Sequence, residues 1–99
     1  MTLQYQIKAR AAREIASAAE WWAVHRQAAP GAVRQDIQDA LAVLVIQPGI
    51  GGKVETGRTI QVRRFYLSRT GHWLYYRVKG ETLEVLCHWH ASREHGPSL

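Results

Sequence analysis

The segment His88-Trp89-His90 puts two imidazoles two residues apart, so on an extended chain they share a face. An imidazole can give or take a proton near neutral pH. Arg63, Arg64, Arg69 and Arg77 lie in the same half of the chain, and a guanidinium fork matches the geometry of a phosphate. Such a set could hold a phosphodiester and assist proton transfer to and from its oxygens. The plainer alternative is a solvated strand, because histidine is often exposed or half-buried. A metal would need a third ligand from His72 or His95. The expected register puts His72 on the opposite face, so no metal site is expected. Cys87 is expected across from His72, where a Cys/His nucleophile is conceivable. A buried structural cysteine is the simpler reading.

The elements that must position these groups can be read from periodicity. In Leu3–Lys8, Leu3, Tyr5 and Ile7 alternate with Gln4, Gln6 and Lys8, the pattern of a half-buried strand. From Ala9 to about Gln27 helix formers dominate, and Ile15, Ala18, Ala19 and Trp22 form an apolar stripe. Trp21 falls off that stripe and is expected to be the more exposed of the two indoles, at an interface or against the sheet edge. Ala29-Pro30-Gly31 breaks the helix. Val33, Ile37, Ala40, Leu41 and Leu44 then make a second stripe, to about Gln47. A connection this short predicts an antiparallel helical hairpin.

Gln47–Gly52 is rich in breakers and reads as a loop. It lacks the Lys-Ser/Thr ending of a phosphate-binding loop. Three strands follow, over Thr59–Leu67, His72–Val78 and Glu81–His90. A two-residue turn at Lys79-Gly80 predicts that Val78 faces Glu81, Tyr76 faces Leu83, Leu74 faces Val85 and His72 faces Cys87. Trp73, Tyr75, Arg77, His88 and His90 then fall on the opposite, partly open face. The expected class is α+β: a two-helix hairpin packed on one face of a mostly antiparallel sheet, in the order β-α-α-β-β-β. We expect a single domain over residues 1–99, with an irregular tail over 91–99.

Composition narrows the partners. The net charge is +5 with histidine neutral. From Pro48 onward eight basic residues face four acidic ones, against five and four before it. A basic half suits an anionic partner such as nucleic acid or an acidic protein. Apolar residues at 46% exclude a disordered chain. One cysteine excludes a disulfide framework and a zinc ribbon. The longest apolar run, Ala40–Ile46, is too short to cross a bilayer, and Gln4 and Gln6 interrupt any signal-like N-terminus. These features predict a cytoplasmic protein with no membrane partner, and no motif implies a cofactor.

The run VRRFYLSRTGHWLYYRV (62–78) resembles the central hairpin of RelE/ParE toxins, and LEVLCHWHASR (83–93) is similar to their last strand. The resemblance extends over nearly the whole chain and matches the order of elements read above. It implies the toxin of a bacterial type II toxin–antitoxin pair, bound in a hetero-oligomer by a cognate antitoxin through an extended or helical, often acidic, segment. It also implies one of two targets: DNA gyrase, inhibited without cleavage, or mRNA cut in the ribosomal A site. The Trp-His-Ala-Ser-Arg ending looks like the gyrase-directed ParE branch. Basic residues are sparse before the strands (Lys53 and Arg58), and Trp89 and His90 stand where a catalytic tyrosine would be. If the chain is a nuclease, the resemblance casts Arg69 as phosphate stabiliser and His90 as general acid or base, with Glu55 a second candidate. Arg63, Arg64, Arg77, Tyr75, His88 and Arg93 are the expected contacts to a target or nucleic acid.

Overall fold

A computed structural model describes residues 2–99. The chain is α+β, with two helices and a five-stranded mixed sheet. The order is β1 (Gln4–Ile7), α1 (Ala9–His25), α2 (Ala32–Leu44), a 3-10 turn (Pro48–Ile50), β2 (Gly52–Val54), β3 (Val62–Leu67), β4 (His72–Lys79) and β5 (Thr82–His90). The sheet runs β1-β5-β4-β3-β2. All pairs are antiparallel except β1 with β5. That parallel pair is possible because both helices and three strands separate its members in sequence. Strand β2 is an addition to the expected order; its Lys53, which precedes the expected strands, pairs with Arg63.

The stripes seen in the sequence become the core. Ala11 and Ile15 of α1 and Val33, Ile37, Ala40, Leu41 and Leu44 of α2 cluster with Leu67, Leu74, Tyr76, Leu83 and Val85. Trp22 packs against this cluster half-buried, while Trp21 keeps 47% of its surface exposed. Burial of each aliphatic side chain contributes about 1.5–3 kcal/mol. A second cluster, Val62, Tyr75 and Cys87, contains no helix residue and is covered by Val54, Trp73, Leu86, Trp89 and Leu99.

The β4–β5 register corrects the sequence reading twice. Lys79 pairs with Thr82, so the turn is Gly80-Glu81, one residue later than expected. Gly80 has φ +62° at the first central position, where hairpin turns demand a positive φ that lysine resists. Val78 therefore faces Leu83 and Tyr76 faces Val85. This moves the partners by two and leaves the faces unchanged. The second correction reverses them. The register shifts between Tyr75 and Tyr76, so Leu86 is an extra residue on β5. A bulge of this kind turns every later side chain to the other face. Cys87 now pairs with Tyr75, His88 with Leu74 and His90 with His72. Cys87 therefore joins the second cluster, away from His72.

The tail over 91–99 has no helix or strand, yet it is docked. The Trp89 indole donates to the His95 carbonyl at 2.9 Å. Arg58 Nε donates to the Leu99 carbonyl at 2.8 Å, and Arg10 donates to the Ser98 carbonyl. Gly96, Pro97, Ser98 and Leu99 line a groove with Tyr75 and Arg64. The sheet face expected to be open is thus partly closed by the chain itself.

Near the other end of the sheet, Gly51 donates to Tyr76 Oη at 3.0 Å, and Tyr76 donates on to the Pro48 carbonyl at 2.6 Å. A Cβ at Gly51 would overlap the Tyr76 hydroxyl and lie 2.8 Å from the Arg64 carbonyl. Close packing against the sheet, rather than a phosphate, explains that glycine.

Candidate histidine cavity

The bulge brings His72, His88 and His90 together at one end of the β4–β5 pair. His72 and His88 stack at 4.1 Å with planes 16° apart, and His90 meets His72 edge-on at 4.9 Å. Across from them runs one side of α1. Arg13, Glu14, Ser17, Ala18, Trp21 and Trp22 recur at helical spacing and face the histidines over a cavity of about 470 Å³, with Arg93 at its edge. Stacked rings do not converge on one point, and among the described residues no group of three His, Cys, Asp or Glu is placed to hold a metal ion.

Three networks fix the histidines. Asp36 Oδ2 accepts both the Thr70 backbone N–H, at 3.1 Å, and the Thr70 hydroxyl, at 2.9 Å. The single hydroxyl proton is thereby used, so Thr70 Oγ1 can only accept from His72 Nδ1 at 3.1 Å. His72 then carries its proton on Nδ1 and a lone pair on Nε2. His90 has the opposite tautomer: its Nδ1 accepts the Ser92 N–H at 3.1 Å, so its neutral ring bears the proton on Nε2. For His88, Glu14 Oε1 accepts the backbone N–H at 3.1 Å. The pairing of β1 with β5 ends at Val85, so a side chain from α1 satisfies a backbone donor beyond it.

Burial sets the charge of the cavity wall. It pushes the His72 imidazole down to about 4, helped by His90. It pushes His88 down to about 3, with His72 and His90 adding to the effect. Both rings are neutral at physiological pH because a buried charge is disfavoured. His88 Nε2 and Trp22 Nε1 are fully enclosed and have no hydrogen-bond partner within the described chain. The cations are at the edge. Arg93 lies over the Trp89 ring at 4.0 Å, and the carboxylate of Glu14 faces Arg10 at 3.4 Å.

Of the expected catalytic and target-contact residues, the cavity gathers His88, His90 and Arg93, and not Arg69. Arg69 faces Asp39 at 3.4 Å in an exposed pair worth little energy. Glu55 lines the separate groove under the tail. Tyr75, expected on an open face, is 3% exposed because the Val62–Cys87 cluster closes over it. His88, expected beside it, is buried on the other face because of the bulge. Arg77 donates to Glu84 at 2.7 Å, holding that carboxyl below the usual carboxylate range. Arg63 donates to the Gly51 carbonyl at 2.8 Å. Arg64 remains exposed, over Trp73 at 4.0 Å and beside the tilted Tyr66–Trp73 pair. Sequence reasoning passed over Arg13, Glu14, Ser17 and Asp36. Their signal was a polar stripe beside the apolar one on α1, and an aspartate set into the apolar stripe of α2.

Comparison with known proteins finds no matching family, no matching curated protein and no matching solved structure. No helix among the described residues is long and apolar enough to cross a membrane.

Proposed function

We propose that this chain is the toxin of a bacterial type II toxin–antitoxin pair, acting in the cytoplasm by binding DNA gyrase and neutralised by a cognate antitoxin. The resemblance of residues 62–93 to RelE/ParE toxins motivates this reading. The succession of one strand, a helical hairpin set against a sheet, and a strand meander is the arrangement it requires. One observation favours inhibition over cleavage: the candidate nuclease set is dispersed. Arg69 is absent from the cavity of His90, and Glu55 lines a separate groove. The accessible groups are instead suited to a protein surface. Trp21 stacks on His25 at 4.4 Å under Arg26, and Arg64 lies over Trp73. Exposed aromatic and arginine residues are the usual anchors of interfaces.

The chain expressed alone should arrest bacterial growth, and purified protein should block supercoiling by gyrase. Normal supercoiling at a large excess of a protein that still arrests growth would refute the gyrase target. A second reading, a ribosome-dependent endoribonuclease, is favoured by the meeting of His72, His90 and Arg93 in one cavity. On that reading, translating ribosomes should yield cut mRNA, and His90→Ala should abolish the cuts.

A further inference from the structure

The histidine cavity has features that a surface for protein contact does not need. At about 470 Å³ it falls in the range of small-molecule sites, roughly 300–1,000 Å³. Behind its lining, two enclosed nitrogens are without partners, His88 Nε2 and Trp22 Nε1. Native interiors seldom leave such groups unmatched, and each example calls for an explanation. The tautomers fixed above give the wall both kinds of polar group. His72 Nε2 is an acceptor, while His90 Nε2–H is a donor. The same wall is flat and aromatic, from the stacked His72–His88 pair and the indoles of Trp21 and Trp22. Two guanidinium groups, Arg13 and Arg93, sit at the exposed edge. Arg13 has no hydrogen-bond, ion-pair or ring partner among the described residues. The one acidic group, Glu14, is already engaged by Arg10 and the His88 N–H.

We propose that this cavity binds a free nucleoside monophosphate or a phosphorylated heteroaromatic compound of that size. The planar base lies against the imidazole and indole wall, and its edge, which carries donors beside acceptors, meets a wall that carries both. The phosphate lies at the rim between Arg13 and Arg93, where two guanidinium forks supply charge-assisted bonds. Neutral His72 and His88 keep the inner wall uncharged, so it suits an uncharged base, and the anion stays at the cationic edge. This proposal does not depend on the toxin reading. It needs only the cavity.

The test is a titration of the intact protein with AMP and with CMP, followed through the histidine ring resonances by NMR. At least one nucleotide should shift His72, His88 and His90 saturably, while adenosine, cytidine and inorganic phosphate should bind more weakly. Arg13→Gln, an exposed change that leaves the core untouched, should weaken the nucleotide about tenfold, a loss of about 1.4 kcal/mol. It should not alter nucleoside binding. His90→Phe keeps a ring and removes the Nε2–H donor, and should weaken both nucleotide and nucleoside. Absence of any saturable shift would overturn the proposal, as would equal affinity for nucleoside and nucleotide. Shifts confined to His25 or His95, outside the cavity lining, would also overturn it. An oligoribonucleotide that binds the same histidines more tightly than any mononucleotide would overturn the single-nucleotide occupant and return the cavity to the cleavage reading.

Discussion

Asp36 sits within the apolar stripe of α2 with 8% of its surface exposed. A buried carboxylate is tolerated only when hydrogen bonds satisfy it. Here a single oxygen, Oδ2, accepts both the backbone N–H and the hydroxyl of Thr70, tying α2 to the β3–β4 turn. Asp36→Ala removes both bonds and strands a buried N–H. Each bond to a charged acceptor is worth about 1.5–3 kcal/mol. The two share one oxygen, so they do not add fully, and loss of a buried charge returns some of its desolvation cost. The expected net loss is about 3 kcal/mol. Asp36→Asn is the informative control. Both bonds converge on one oxygen, so an amide carbonyl in that place keeps their geometry and loses only the charge, at about 1 kcal/mol.

For a domain of this length, 1 kcal/mol corresponds to about 4–8 °C in melting temperature. Calorimetry should therefore place the Ala variant about 12–24 °C below the parent and the Asn variant about 4–8 °C below it. The Ala variant also frees the Thr70 hydroxyl proton, which can then donate to His72 Nδ1 and move the ring proton to Nε2. Nitrogen shifts of His72 report that change directly. Equal destabilisation by the two substitutions, or a His72 tautomer unaltered in Asp36→Ala, would refute the hydrogen-bonded chain from Asp36 through Thr70 to His72.

Two further outcomes follow from the buried groups. His72 and His88 titrate near 4 and 3 in the folded chain, well below the ordinary histidine value. Unfolded chains therefore take up protons that the folded state refuses. Stability is full above about pH 6.5 and falls as pH drops towards these lowered values. Replacing His88 with leucine should reduce that slope by about 1.4 kcal/mol per pH unit between pH 5.5 and about 4, measured by urea midpoints; an unchanged slope would show that His88 is not a buried neutral ring. Burial, reinforced by Glu14, pushes the Cys87 thiol up to about 12, so a thiol reagent at pH 8 should label Cys87 only after denaturant is added.

Much of the fold was legible because it rests on local periodicity. The Leu3–Ile7 alternation, the Ile15–Trp22 stripe and the Val33–Leu44 stripe each predict one element, and each element forms near its expected bounds. What escaped depends on contacts distant in sequence. Residues 52–54 are too short and glycine-rich to announce a strand, and β2 forms because Lys53 finds Arg63 on the exposed edge of β3. The tail has no periodicity to read, and it is held through side chains of Arg10, Arg58 and Trp89. Tyr75 has the composition of a binding residue, and only the arrival of Leu99 and Val54 distinguishes a buried tyrosine from an exposed one.

The site turns on Leu86. Continuous pairing along Thr82–His90 would send His88 and His90 to the Tyr75 face, where Trp73, Arg77 and the tail lie. Alternation along β5 gives no hint of a bulge, since Leu83, Val85, Leu86 and Cys87 are all apolar and any of them can face either cluster. Packing decides between them. Cys87 and Leu86 both lie on the Val62–Tyr75 cluster, while Leu83 and Val85 reach the helices. Two residues on one side of a strand oppose one on its neighbour, and the strand must turn over after them. The same inversion carries His88 under α1, where its backbone N–H meets Glu14 and its ring meets His72. Placement of the histidines is thus a consequence of how two apolar clusters divide Leu83, Val85, Leu86 and Cys87. This is why residue types alone placed the two histidines of β5 on the wrong face.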